Sequence, residues 1–287
     1  MNIKRAQNIA CPIDGEILTS CDQQFCCSNG HTFDIARQGY VNLLPVQHKR
    51  SKQPGDSKAM VLARSRFLDS GLYMPVSDRL NELVLSQMRA DKDLCFLDAG
   101  CGEGYYLDRL CQFLSEQDEQ ACLSFIGLDI SKDAILQSSR RNKQVCWLVG
   151  TNRQPPVVAE SVDIILCLFG FVSVEGFSNV LKPGGLVILV DPGPEHLKEL
   201  REIIYPEVSK TEQCDTVIEQ SGFSLLYKDT LTYHSSIDSN EQINYLLQMT
   251  PHFYRASKEG RARAEQLSQL DVTVDILFRV LQKAEQT

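Results

Sequence analysis

The chain's 287 residues predict an α/β fold: a doubly wound, mostly parallel sheet with an antiparallel edge, preceded by a small Cys/His module. Three observations carry this. After Asp91, short apolar runs alternate with helical stretches, the pattern of parallel strands buried on both faces. A glycine-rich turn follows the first run, at Gly100, Gly102 and Gly104. Four of the 11 cysteines crowd into residues 11–27.

Each element can be justified in order. Residues 8–34 are too few for a core of their own, and Asn29-Gly30 before His31 suits a tight hairpin turn. Gln38-Gly39-Tyr40 and Gln53-Pro54-Gly55-Asp56 are turn signals. Between Ser57 and about Leu72 the spacing of Met60, Leu62, Ala63, Phe67 and Leu68 is helical, with Ser57 as cap and Gly71 as stop. A second helix over about Met74–Arg89 carries Val76, Leu80, Leu83, Val84 and Met88 on one stripe. Strands are expected at 94–97, 124–128, 145–149, 162–169 and 185–190, with helices at 105–117 and 132–142 between the early ones. The tail offers two more strands, 223–233 and 272–281, for the antiparallel edge. The expected division is a Cys/His module at 1–36, a basic arm with linker helices at 37–92, and the sheet domain at 93–287.

Composition narrows the function classes. Hydrophobic residues make up 43% and charged residues 23%, ordinary globular usage. No apolar run approaches the ~18 residues of a spanning helix, and Met1–Gln7 leads into no signal-peptide core, so a soluble cytoplasmic protein with no membrane partner is expected. The odd cysteine count argues for reduced thiols. Net charge is −8, but it is divided unevenly: residues 1–70 carry nine Lys/Arg against six Asp/Glu (+3), leaving 20 against 31 (−11) for the rest. Within 35–66, seven basic residues face the single Asp56. That arm could meet a polyanion while the acidic remainder stays soluble; a solvated linker with a chance basic bias is the competing reading.

The most specific stretch is Phe96-Leu97-Asp98-Ala99-Gly100-Cys101-Gly102-Glu103-Gly104-Tyr105. A strand ends at Asp98 and alternate glycines precede a helix, so main-chain N–H groups can face a ligand. Dinucleotide enzymes share such a turn. Here, however, the spacing is G-x-G-x-G, an acid precedes the first glycine, and the second strand ends in Asp129, suited to a ribose diol. With Val180-Leu181-Lys182-Pro183-Gly184-Gly185, these features resemble the class I S-adenosylmethionine-dependent methyltransferases over about residues 93–285. That resemblance implies a Rossmann-like sheet and S-adenosylmethionine as cofactor, with Asp98, Gly100, Gly102 and Asp129 among its contacts. A Rossmann-like protein with a degenerate site is the alternative.

A narrower resemblance covers nearly the whole chain. Phe33–Ser51, Pro54-Gly55-Asp56-Ser57, Arg64, Phe67-Leu68-Asp69, Gly71, Tyr73, Leu97–Tyr106, Pro192–Leu197 and Leu246–Pro251 are similar to the 23S rRNA (guanine-N1)-methyltransferases. Membership implies methylation of one guanine in an rRNA hairpin, with Tyr73, Gly102, Glu103 and His196 contacting the cofactor. Without it, His196 after Pro-Gly-Pro reads as a turn residue. Membership also implies a zinc module of Cys-x-x-Cys followed by Cys-x-x-x-His. Cys11 and Cys27-x-x-x-His31 match, but Asp14 stands at the second position, and Cys21 or Cys26 could be the fourth ligand instead. A metal-free knuckle is the competing reading.

For RNA, the expected phosphate ligands are Arg37, Lys49, Arg50, Lys52, Arg64 and Arg66. Phe253 and Tyr254, beside Pro251 and Arg255, suit stacking of a splayed base, or equally packing on the core. Guanine N1 carries a proton, and the group that takes it stays open among His196, Glu103 and solvent. A small-molecule methyltransferase and a non-catalytic rRNA assembly factor are the rival functions, and a homodimer stays open.

Overall fold

The computed structural model describes residues 1–48, 51, 53–88, 93–117, 121–205, 222–250 and 256–285. Lys49, Arg50, Lys52, Phe253 and Tyr254 lie outside the described residues. The described strands are β1 (Asn2–Lys4), β2 (Thr19–Cys21), β3 (Gln24–Cys26), β4 (Thr32–Asp34), β5 (Val41–Asn42), β6 (Leu94–Ala99), β7 (Cys122–Asp129), β8 (Cys146–Val149), β9 (Val162–Leu168), β10 (Leu181–Pro192), β11 (Phe223–Ile237) and β12 (Leu270–Lys283). The described helices are α1 (Lys58–Asp69), α2 (Met74–Gln87), α3 (Tyr105–Ser115), α4 (Lys132–Arg141), α5 (Val174–Val180), α6 (Lys198–Ile204), α7 (Asn240–Met249) and α8 (Lys258–Glu265).

Nine strands form one sheet in the order β11-β12-β10-β9-β6-β7-β8-β5, with β1 also on β7. Every residue of β6 and of β9 is buried, as central parallel strands covered on both faces must be. The sequential strands run outward from β6 in one direction through β7 and β8, and in the other from β9 through β10. The order therefore reverses between β6 and β9, the place where open α/β sheets bind ligands at the carboxyl ends of their strands. β12 runs antiparallel to both β10 and β11, giving the expected antiparallel edge.

Local chemistry sets the helix boundaries. The Ser57 hydroxyl accepts the Met60 N–H at 3.4 Å and starts α1. Pro75 sits in the first turn of α2, where its missing N–H is harmless. Thr250 is extended ahead of Pro251 and ends α7.

Three features differ from the sequence expectation. Residues 2–4 pair in parallel with the first half of β7, whose second half pairs with β8. Val41 and Asn42, inside the expected basic arm, extend the sheet beyond β8, and Val41 is buried. Strand β10 begins at Leu181 instead of Gly185, because the Lys182–Gly185 turn is absorbed as a register shift against β9. In the N-terminal module, β2, β3 and β4 form a small antiparallel sheet. Its Leu18, Phe25, Cys11 and Cys27 join one core with residues of β6, β8 and β9, so the module packs on the large sheet rather than standing apart.

Candidate active site

The carboxyl ends of β6, β7, β8, β9 and β10 open onto a cleft of about 1060 Å³. Its glycine loop is fastened to β7: the Gly100 and Cys101 N–H groups both donate to the Leu128 carbonyl, at 2.8 and 3.0 Å. Gly102 and Gly104 have φ of +55° and +84°, values that side chains rarely adopt. A Cβ on Gly104 would meet Trp147 and Ser138 at 2.8 Å, so this glycine also lets the loop sit against α4 and β8. A Cβ on Gly102 would meet only the flexible end of Arg64, at 3.4 Å, so no backbone crowds this part of the loop, which lines the cleft beneath that side chain.

Asp129 ends β7 with both carboxylate oxygens engaged. Oδ2 accepts the Gly102 N–H at 2.9 Å and Oδ1 accepts the Ser131 N–H at 2.7 Å. It therefore braces the glycine loop, and each oxygen keeps lone-pair capacity for a ligand hydroxyl. Burial raises its pKa, an effect the two N–H donors oppose.

Asp98 is 2% exposed, and its Oδ1 has no hydrogen-bond partner among the described residues. Burial, and then the charges of Asp129 and Glu103, push it up to about 8. A buried carboxyl lining a cleft without a donor is poised for a cationic ligand group. Glu103 is equally buried and lies 3.2 Å from Arg141. Burial lifts it to about 7 against the opposing pull of Arg141 and Arg64.

On the opposite wall, Tyr73 Oη lies 3.1 Å from Nε2 of His196, and both residues are buried. The Asp275 N–H donates to Nδ1 of His196 at 3.3 Å. Nδ1 thus has no proton of its own, Nε2–H donates to Tyr73, and the phenolic hydrogen is left for another acceptor. Burial drives the Tyr73 phenol far above its ordinary range, so it stays neutral. Both nitrogens of His196 are engaged, and Glu103 faces Arg141; neither is presented as an unencumbered base.

The structure thus gathers Tyr73, Asp98, Gly100, Gly102, Glu103, Asp129 and His196 around one cleft. It also puts Arg64 there. Its guanidinium pairs with Asp56 and donates to the Met249 carbonyl at 3.4 Å, so Arg64 is a cleft residue and not an open surface cation. Arg66 lies over the Tyr245 ring, and Arg37 is exposed. Sequence reasoning missed Asn152, Asp191, Phe169 and Phe171 as cleft residues. Asn152 Nδ2 bridges the carbonyls of Ala99 and Phe171, and Asp191 pairs with Arg279 at 2.7 Å. Nothing in their local sequence marks them except a position just past an apolar run.

The glycine loop, the Asp129 acceptors and the undonated Asp98 oxygen fit the amino-acid chain, diol and ammonium of S-adenosylmethionine. In the N-terminal module, two turns bring Cys11, Asp14, Cys27 and His31 together, with their ligand atoms within 4.8 Å of one another. His31 Nδ1 lies 3.6 Å from Cys11 Sγ, 3.4 Å from Cys27 Sγ and 2.9 Å from Asp14 Oδ2. Tetrahedral zinc with ordinary bond lengths separates its ligand atoms by about 3.3–3.8 Å. The two Cys–His separations and the 3.6 Å between Cys27 Sγ and Asp14 Oδ2 match this. The His31–Asp14 hydrogen bond is shorter and would open on zinc, so the donor set fits the metal. The side chain of Asn29, above all, holds the Asp14 carboxyl well below the usual range. Cys21 and Cys26 are not part of this cluster.

Two family models match the chain, one over each of these regions. A zinc-ribbon family model described as "RlmA, N-terminal" matches residues 9–52, and one described as "Methyltransferase domain" matches residues 96–185. A Bacillus subtilis (strain 168) protein provisionally named 23S rRNA (guanine-N(1)-)-methyltransferase YxjB is 31% identical over 255 residues, 88% of each chain. The 23S rRNA (guanine(748)-N(1))-methyltransferase of Streptomyces fradiae is 34% identical over 193 residues, 67% of this chain and 66% of its own. Among solved structures, the YcgJ protein from Bacillus subtilis aligns with a TM-score of 0.47 at 18% identity, covering 72% of this chain and 98% of that one. Similarity at 31% identity over 88% of both chains, with a zinc-ribbon match and a methyltransferase match in one chain, places the protein in the family of 23S rRNA (guanine-N1)-methyltransferases.

Proposed function

We propose that this protein methylates N1 of a guanine in a hairpin of 23S rRNA in the cytoplasm, using S-adenosylmethionine. The observation that carries the reading is the cleft at the reversal of strand order, where the glycine loop, the Asp129 acceptors and the unsatisfied Asp98 oxygen converge. When bound, S-adenosylmethionine supplies an electrophilic methyl group on its sulfonium. Asp129 would accept the ribose hydroxyls, Asp98 would hold the ammonium, and Gly102 would let the main chain approach the ligand. Tyr73, its oxygen engaged by His196, would offer its hydrogen to the ligand carboxylate. The Glu103–Arg141 ion pair braces the start of α3. The chain's contribution to rate is mainly positioning, since an acceptor nitrogen must be brought in line with the methyl group, and with His196 and Glu103 both engaged the N1 proton passes to solvent.

The zinc module at 1–36, held by Cys11, Asp14, Cys27 and His31, and the basic arm at 37–92 belong to RNA recognition in this reading. Arg37, Arg66, Lys49, Arg50 and Lys52 supply phosphate contacts, and Phe253 and Tyr254 a stacking surface; a homodimer is compatible with it. No helix of the described residues is long and apolar enough to cross a membrane. The test is transfer of labelled methyl to purified 23S rRNA beside a metabolite pool. Label in rRNA alone supports the reading, and label only in small molecules overturns it.

A further inference from the structure

Two aromatic rings stand in the cleft that none of these anchors uses. Phe169 and Phe171, just past β9, are 39% and 56% exposed and line the opening. Their loop is held firmly. Phe169 adopts φ +53°, rare for a bulky side chain, and its N–H donates to the Val190 carbonyl at 2.8 Å. The Asn152 side chain donates to the carbonyls of Phe171 and Ala99 at 2.9 and 3.1 Å, tying this loop to the glycine loop. The Arg153 guanidinium lies 4.8 Å from the centre of the Phe171 ring and pairs with no acidic group among the described residues. An exposed ring with an uncompensated planar cation stacked on it has no role in packing the core.

We propose that Phe171 with Arg153, and Phe169 beside them, form a shelf that holds an unstacked base of the substrate RNA at the mouth of the cleft. This rests on the rRNA-methylating reading above. Bases of unpaired RNA are taken up on aromatic faces and guanidinium planes, whatever their identity. Position favours RNA over the cofactor. Asp98 and Glu103 are each 2% exposed, deep in the cleft, whereas Phe171 and Arg153 are exposed at its rim. Residues 71–287 hold 20 basic and 31 acidic residues, so an unpaired arginine beside the site also eases the approach of a phosphate chain.

The experiment compares full-length Phe169→Ala, Phe171→Ala, Phe171→Tyr and Arg153→Ala with the wild type. Cofactor affinity is read by calorimetry, and kcat/KM on a 23S rRNA transcript across a salt series. Loss of either phenyl ring should lower kcat/KM about tenfold to a hundredfold with an unchanged salt slope. Cofactor affinity should stay within about twofold, and Phe171→Tyr should retain activity. Arg153→Ala should flatten the salt slope by about 0.7. Trp147 is the chain's single tryptophan and is 1% exposed, so Phe171→Trp adds an exposed emitter that unmethylated RNA should quench. Wild-type kcat/KM in Phe169→Ala and Phe171→Ala, or an unquenched Phe171→Trp, would overturn the shelf while rRNA methylation stands. So would a cofactor affinity that falls in step with activity, which would give the rings to the adenosine. A wild type inert on RNA would overturn the functional reading and the shelf together.

Discussion

Replacing Asp129 with Ala should injure both the site and the loop that builds it. In the unliganded protein its two oxygens satisfy the Gly102 and Ser131 N–H groups at 2.9 and 2.7 Å. Alanine leaves both donors unpaired at the head of the glycine loop, but it also relieves a buried carboxylate whose pKa burial has raised. Charge-assisted bonds of this kind contribute about 1.5–3 kcal/mol each, so after that offset the net loss of stability should be about 1–3 kcal/mol. For a chain of this size that is a fall in Tm of roughly 2–10 °C. Two ribose hydroxyl bonds to the same carboxylate are lost as well, together about 3–6 kcal/mol, so cofactor affinity should drop roughly 10²- to 10⁴-fold. Asp129→Asn should not rescue, because its amide can accept from one of the two N–H groups and must turn donors toward the other. Calorimetric titration with S-adenosylmethionine, beside a thermal melt, measures both effects. Binding within about threefold of the wild type would refute the assignment of Asp129, whatever the melt shows.

The buried carboxyl groups give a pH prediction. Asp98 and Glu103 sit at about 8 and about 7, above their ordinary values, so between roughly pH 4 and 8 the native state holds protons that the unfolded chain has released. Their contribution is present in acid and is lost as pH rises through those values. The ligand-free protein should therefore melt lower at pH 8.5 than at pH 6, and the reverse order would contradict the burial argument. Cofactor ammonium beside Asp98 should expel a proton, so binding near pH 7 should release up to about one proton, visible as a buffer-dependent heat. Elemental analysis should find one zinc per chain; Asp14→Ala should lose it, and Asp14→Cys should hold it longer against chelator, since thiolate suits zinc better than carboxylate. Zinc retained fully in Asp14→Ala would remove Asp14 from the set. A Lys49/Arg50/Lys52 triple-Ala variant should lose about 0.7–0.9 of salt slope per contact, and an unchanged slope would reduce the arm to a linker.

The parts of this fold that were legible in the sequence are those governed by local rules. Ser57 and Gly71 bracket a helix because capping is local, and β6 and β9 read as buried because both their faces are apolar. Asp98, Gly102 and Asp129 stood out since close main-chain approach demands glycine where a strand turns into a helix. What escaped was tertiary. Residues 2–4 and 41–42 are too short to show an alternation, and they become strands only because β7 and β8 offer them free edges. Gly127 reads as an ordinary strand residue, yet a Cβ there would lie 2.2 Å from Trp147, a partner 20 positions away. Arg64 read as one cation of a basic arm, but Asp56 and Met249 draw it into the cleft. Phe169 and Phe171 look like the tail of an apolar run, and only the end of β9 turns them outward.

The cleft's proposed task is to deliver a methyl group to N1 of a guanine in 23S rRNA. Mass mapping of ribonuclease fragments of 23S rRNA tests it most directly, comparing cells with the gene, cells lacking it, and cells complemented with Asp129→Ala. One fragment should be lighter by a single methyl group in the deletion strain, restored at guanine N1 by the wild-type gene and not by the variant. Identical fragments in all three strains would contradict it.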